Sequence, residues 1–139
     1  MITGVRHIGI IVRNIEHSVA VFKNVFDLKE GEIQIVSSEE SQGAGKFAFL
    51  QVAGTELALI QPLSDSFQEA LGHPPEGLNH IAFTVENIEE AVKVLAEKGV
   101  RLGHVTKQGI MDTGRVKIAY LDPRDTDGIF IELVQPTRG

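Results

Sequence analysis

Three side chains in apolar segments of this sequence could bind a metal ion together. His7 and His80 each begin an apolar run, and Glu132 has apolar neighbours on both sides in segment 129–134. A buried carboxylate is costly unless it has a partner, and a cation that also binds two imidazoles is such a partner. Two histidines and one glutamate leave coordination positions open, as catalytic metal sites do. We predict one divalent metal on His7, His80 and Glu132; Zn, Co, Ni, Mn and Fe suit these ligands alike.

The two histidines occupy matching positions in an internal repeat. Three pairs of segments match in the same order along the chain: 7–16 with 80–89, 46–50 with 117–121, and 59–62 with 133–136. In the first pair, which is offset by 73 residues, six of ten positions are identical. Self-similarity of this kind indicates a duplicated structural unit.

Each copy predicts a strand, a helix and three further strands. The strands of the first copy are predicted at 5–12, 33–36, 46–52 and 56–61, and those of the second at 78–85, 100–106, 115–121 and 129–134. Asn14 and Asn87 are predicted to cap the helices at their start, and Gly99 to end the second helix. Segment 64–76 reads as a linker because it contains Gly72 and two adjacent prolines.

These elements predict an α+β fold in one domain, residues 1–139. Two tandem βαβββ modules, 1–63 and 77–139, are expected to form a cupped mixed sheet with helices on the outside. Because strand side chains alternate between faces, His7 and His80 should point away from the helices, while the bulkier apolar side chains pack against them.

The repeat also predicts where a fourth ligand is missing. Ala58 stands where the second copy has Glu132. Glu56, two residues earlier and on the same strand face, could replace that ligand or act as a base, whereas Gln61 should face the other side. His17, His73 and His104 have no repeat partner, so no site is predicted there.

Composition limits the remaining classes of function. The 139 residues contain no cysteine, which excludes disulfides and thiolate chemistry. The net charge is −6 without a basic stripe, so nucleic acid is not an expected partner. Neither a leader peptide nor an apolar run that could cross a membrane is recognised, so a cytoplasmic location is expected. Exposed sheet edges favour a homodimer.

At these residues the chain resembles the vicinal oxygen chelate superfamily, which includes glyoxalase I, methylmalonyl-CoA epimerase, fosfomycin-resistance proteins and extradiol dioxygenases. The resemblance spans nearly the whole chain, and segments 7–10, 79–82 and 131–133 are similar to the family's metal-ligand strands. Four further segments resemble the epimerase branch: 55–64, 77–82, 97–102 and 122–133. Segment 1–7 also looks like the fosfomycin-resistance branch. Two positions depart from the epimerase pattern, Ala58 in place of a ligand and Ser41-Gln42-Gly43 in place of Glu-Gln-Gly.

The resemblance implies a metal-dependent isomerase that stabilises the enolate of a chelating acyl substrate, such as a CoA thioester. Epimerisation needs two acid/base groups, for which Glu132 and Glu56 are the expected residues, with Glu39 and Glu40 as further candidates. The alternatives are a glyoxalase-I-like lyase, a fosfomycin-resistance-type thiol transferase, and a non-catalytic module that binds a small molecule.

Overall fold

The computed structural model describes residues 1–37, 43–72 and 76–137. In these ranges the helices are α1 (Ile15–Phe26), α2 (Asp65–Leu71) and α3 (Ile88–Glu97). The strands in the same ranges are β1 (Ile2–Ile11), β2 (Ile33–Val36), β3 (Gly45–Val52), β4 (Thr55–Pro62), β5 (Gly77–Val85), β6 (Met111–Asp112), β7 (Val116–Tyr120) and β8 (Phe130–Pro136).

Among the described strands, β2-β3-β4-β1 run side by side in mixed sheet, as do β5-β8-β7-β6. β1 pairs in parallel with β4, and β5 pairs in parallel with β8. The hairpin partners β3–β4 and β7–β8 are antiparallel. The predicted α+β class with a mixed sheet is therefore confirmed.

The chain divides into two compact units, which we call the first unit (residues 7–79) and the second unit (residues 1–6 and 80–139). In the first unit, α1 packs through Ile15, Val19 and Phe22 on the sheet side chains that include Ile10 and Val12. In the second unit, α3 packs in the equivalent way on Phe83, Val85, Ile131 and Leu133. The bulkier apolar face thus meets the helix in both units, as predicted. The module boundaries at 1–63 and 77–139 stay a prediction.

Equivalent polar side chains hold the start of α1 and of α3. Asn14 accepts a hydrogen bond from the backbone N–H of His17, and Asn87 accepts one from that of Glu90, which confirms both predicted caps. Gln61 Oε1 accepts from the backbone N–H of Ile15 at 2.9 Å, and Gln135 Oε1 accepts from that of Ile88 at 2.8 Å. Gln61 therefore faces α1, as its position in the strand predicts.

The predicted linker contains a helix. Ser64 accepts a hydrogen bond from the backbone N–H of Phe67 at the start of α2. The helix contributes Leu71 and Phe67 to a cluster with Ile11 and Ile60, which lie on the strand faces opposite α1. Gly45 leaves room for this packing, since a Cβ there would meet the Phe67 ring at 2.9 Å.

The strand predicted at 100–106 is wrong. Leu102 makes only an isolated bridge with Leu121, and a 3₁₀ turn follows at His104–Thr106. A Cβ added at Gly103 would lie 2.9 Å from the backbone of Asp122, so the segment at Gly103 packs directly against that backbone and has no room for a side chain. The short strand β6 forms further along the chain, at Met111–Asp112.

Gly99 ends α3 in the left-handed conformation, with φ of 86°. The N–H of Gly99 bonds to the carbonyl of Ala96, and that of Val100 bonds to the carbonyl of Leu95, which together form a Schellman motif. An added Cβ meets nothing within 4 Å, so its cost is conformational alone. We expect Gly99→Ala to lower the free energy of unfolding by about 1 kcal/mol in urea denaturation. Gly31→Ala is the control, because Gly31 also has open space but no left-handed φ; equal effects of both would contradict this account.

None of the helices in the described residues has the length and apolar character needed to span a membrane.

Candidate metal centre

His80 and Glu132 form the buried part of the candidate site, within the second unit. β5 and β8 pair so that Ala82 lies beside Glu132, which places the Glu132 side chain on the same sheet face as His80. His80 Nε2 lies 3.3 Å from Glu132 Oε1, and the two side chains are only 3% and 7% exposed. An imidazole and a carboxylate therefore converge in a region from which water is largely excluded.

His7 and Glu56 are direct neighbours in the first unit. The parallel pairing of β1 with β4 sets His7 beside Glu56, and His7 Nδ1 lies 3.9 Å from Glu56 Oε2. The amide of Gln51 donates a hydrogen bond of 2.8 Å to the other carboxylate oxygen of Glu56. The Glu56 side chain is 26% exposed and so retains contact with solvent.

His7, His80 and Glu132 are the three predicted ligands, and each is at least partly buried. Nitrogen and oxygen ligands sit about 2.1 Å from a bound zinc ion, so they are roughly 3–4 Å apart. His80 Nε2 and Glu132 Oε1, at 3.3 Å, have that spacing. Two imidazoles and a carboxylate are a donor set that suits a divalent transition metal, and these residues fit such an ion.

Tyr120 contacts both ligands of the second unit and was not predicted from the sequence. It lies directly opposite Glu132 across the β7–β8 pair, on the same face of the sheet. Its ring meets the His80 ring edge to face, with centroids 5.7 Å apart. Burial raises the pKa of Tyr120 well above its usual value, and the charge of Glu132 raises that pKa further. The available signal was that Tyr120 is the chain's single tyrosine and matches Phe49 in the repeat.

The other predicted residues fall in different places. His17 is exposed on α1, in line with the absence of a predicted role. Ala58 is buried on β4 beside Gly9, so no side chain here takes the place of the missing symmetric ligand. His104, for which no site was predicted, packs its ring against Tyr120 at 5.7 Å and Phe130 at 4.2 Å. The candidates Glu39 and Glu40 lie outside the described ranges, as do His73 and part of the departing motif, Ser41 with Gln42.

Comparison with known families agrees with this geometry. The family model of the glyoxalase/bleomycin resistance protein/dioxygenase superfamily matches residues 6–120. The chain belongs to this superfamily, and the resemblance found in the sequence is confirmed.

Individual relatives are similar over nearly their full length. A protein of Bacillus subtilis (strain 168), the uncharacterized protein YqjC, is 34% identical over 136 residues, which cover 94% of this chain and 90% of the relative. The ethylmalonyl-CoA/methylmalonyl-CoA epimerase of Cereibacter sphaeroides is 28% identical, with 97% and 99% covered. The crystal structure of methylmalonyl-CoA epimerase from Mycobacterium tuberculosis superposes with a TM-score of 0.77, covering 99% of this chain and 90% of that one. At 23% identity, that last likeness shows the fold alone.

Proposed function

We propose that this protein is a metal-dependent epimerase acting on a malonyl-type CoA thioester, such as methylmalonyl-CoA. The observation that carries the proposal is the buried pair of His80 and Glu132 on one sheet face, whose Nε2 and Oε1 atoms lie 3.3 Å apart. The similarity to an ethylmalonyl-CoA/methylmalonyl-CoA epimerase over 97% of the chain supports the choice of substrate class.

The metal ligands in this proposal are His7, His80 and Glu132. The three side chains leave coordination positions open, which two neighbouring oxygens of a substrate can occupy. When bound, the cation would supply positive charge that stabilises the enolate oxygen formed on loss of the α-proton. The low exposure of His80 and Glu132 strengthens electrostatic interactions at this place, because little water screens them.

Proton transfer is assigned to Glu56 and Glu132. Epimerisation removes the α-proton from one face of the carbon and returns a proton to the other face, so it needs two acid/base groups. Glu56 suits one role because it lies beside His7, is held by the Gln51 amide through one oxygen, and remains partly exposed. Glu132 is our candidate for the second role, in addition to binding the ion.

Deuterium exchange tests this function directly. Metal-loaded protein in D₂O is expected to incorporate deuterium at C2 of methylmalonyl-CoA far above the background rate, as followed by mass spectrometry. Glu56→Gln should slow the exchange by roughly 100-fold or more while the bound metal stays stoichiometric, because the variant loses one of the two acid/base groups and no proposed ligand.

The control is Glu97→Gln, which removes an exposed carboxylate at the end of α3 and should leave exchange unchanged. Bound metal without exchange would replace the epimerase by a lyase or thiol transferase of the same superfamily. Protein that takes up no divalent metal, even after reloading, would favour a non-catalytic binding module.

A further inference from the structure

The second unit places a tyrosine beside both of its candidate metal ligands. Tyr120 stands directly opposite Glu132 in the antiparallel β7–β8 pair, so the two side chains are neighbours on one face of the sheet. The Tyr120 ring also packs edge to face against His80. One side chain therefore contacts the imidazole and the carboxylate that lie 3.3 Å apart.

Tyr120 is itself firmly held. Its backbone N–H donates to the hydroxyl of Thr106 at 2.8 Å, and that hydroxyl donates to the Tyr120 carbonyl at 3.1 Å. Thr106 is completely buried. The His104 ring lies against the other side of this arrangement, 5.7 Å from the Tyr120 ring. These bonds fix the backbone that carries the Tyr120 ring, and a ring on a fixed backbone can limit the orientation of its neighbours.

The repeat provides an internal comparison. In the first unit, Phe49 lies opposite Ala58 across β3–β4, in the same relation as Tyr120 to Glu132 across β7–β8. Where the carboxylate is present, the opposite ring carries a hydroxyl; where it is absent, the ring has none. The two aromatic rings fill equivalent places, so packing alone does not require the hydroxyl of the chain's single tyrosine.

We infer that Tyr120 is a positioning residue for the metal centre, an inference that rests on the proposed metal site. The Tyr120 hydroxyl donates its hydrogen bond to the Glu132 carboxylate and selects which oxygen faces the ion, while the ring limits rotation of the His80 imidazole. Outer hydrogen-bond partners of this kind orient the ligands and typically change metal affinity by about 10- to 100-fold.

Tyr120→Phe tests the inference because it removes the hydroxyl and keeps the ring. Calorimetric titration with Zn²⁺ is expected to give a Kd about 10- to 100-fold higher than that of the wild type. With Co²⁺ in the site, the visible absorption spectrum should change in position or intensity, since the ligand geometry is altered. Thermal unfolding of the metal-free variant checks that it folds.

Phe49→Tyr is the matched control, because it adds the same hydroxyl where no carboxylate stands opposite. We expect it to leave the Zn²⁺ affinity and the Co²⁺ spectrum unchanged. Equal affinities and spectra for wild type and Tyr120→Phe would overturn the positioning role.

The wild type offers a second measurement that needs no variant. Tyr120 is the only tyrosine and the chain has no tryptophan, so its intrinsic fluorescence reports on this position alone. Adding Zn²⁺ should change that fluorescence and saturate at one equivalent. Unchanged fluorescence with metal bound would count against Tyr120. If the wild type binds no metal, this inference and the metal site are overturned together. If Tyr120→Phe binds metal more weakly but the wild type exchanges no deuterium into the substrate, the inference stands and only the proposed reaction is rejected.

Discussion

Glu132→Gln is expected to weaken divalent metal binding by at least about 100-fold, equivalent to roughly 2.7 kcal/mol. The substitution keeps the size of the side chain but replaces an anionic ligand by a neutral amide. Glu132 is the only acidic residue among the three proposed ligands, so the variant loses the negative charge that offsets that of the cation. Metal content after dialysis and titration calorimetry would measure the effect, and deuterium exchange should fall with it.

Glu56→Gln is the informative comparison for this variant. Both changes replace one carboxylate by an amide. Glu132 is a proposed metal ligand, whereas Glu56 lies beside the proposed ligand His7 and is not itself one of the three. The proposal expects Glu56→Gln to lose exchange and keep its metal, while Glu132→Gln loses both. If Glu132→Gln retained stoichiometric metal at wild-type affinity, Glu132 would not be a ligand.

Ala58→Glu is expected to make stability strongly dependent on metal. Ala58 is 3% exposed and lies beside Gly9, at the repeat position of Glu132. Without metal, a carboxylate buried there should lower the free energy of unfolding by roughly 3 kcal/mol, because its charge has lost its hydration. With metal, the new side chain can act as the symmetric fourth ligand. We then expect the stability to recover and the affinity to rise at least about tenfold.

Ala48→Glu is the control for Ala58→Glu. Ala48 is as deeply buried, but its side chain belongs to the cluster that packs under α1. This variant should be destabilised without recovery on adding metal. Adding Phe49→Tyr to Ala58→Glu would reproduce the pairing of Tyr120 with Glu132, and a further gain in affinity is expected. Equal responses of the two alanine variants to metal, measured by thermal unfolding, would contradict the role given to position 58.

Much of the fold was predictable because it depends on local patterns that occur twice. Asn14 and Asn87 cap their helices as predicted, since an Asx side chain before an amphipathic segment can bond only to nearby amides. The position of Gln61 followed from strand alternation alone. The predicted strand at 100–106 failed because the pairing stops after the single bridge of Leu102 with Leu121, where a 3₁₀ turn begins at His104.

The sequence by itself determined the duplicated unit, the α+β class and the strand face on which His7, His80 and Glu132 lie. These features follow from the two-residue period of a strand and from the repeat, both of which are local properties of the chain. Only the tertiary structure decided that Glu56 adjoins His7 and that Tyr120 lies opposite Glu132. Such neighbours depend on the register between strands far apart in sequence, and packing of the complete sheet sets that register.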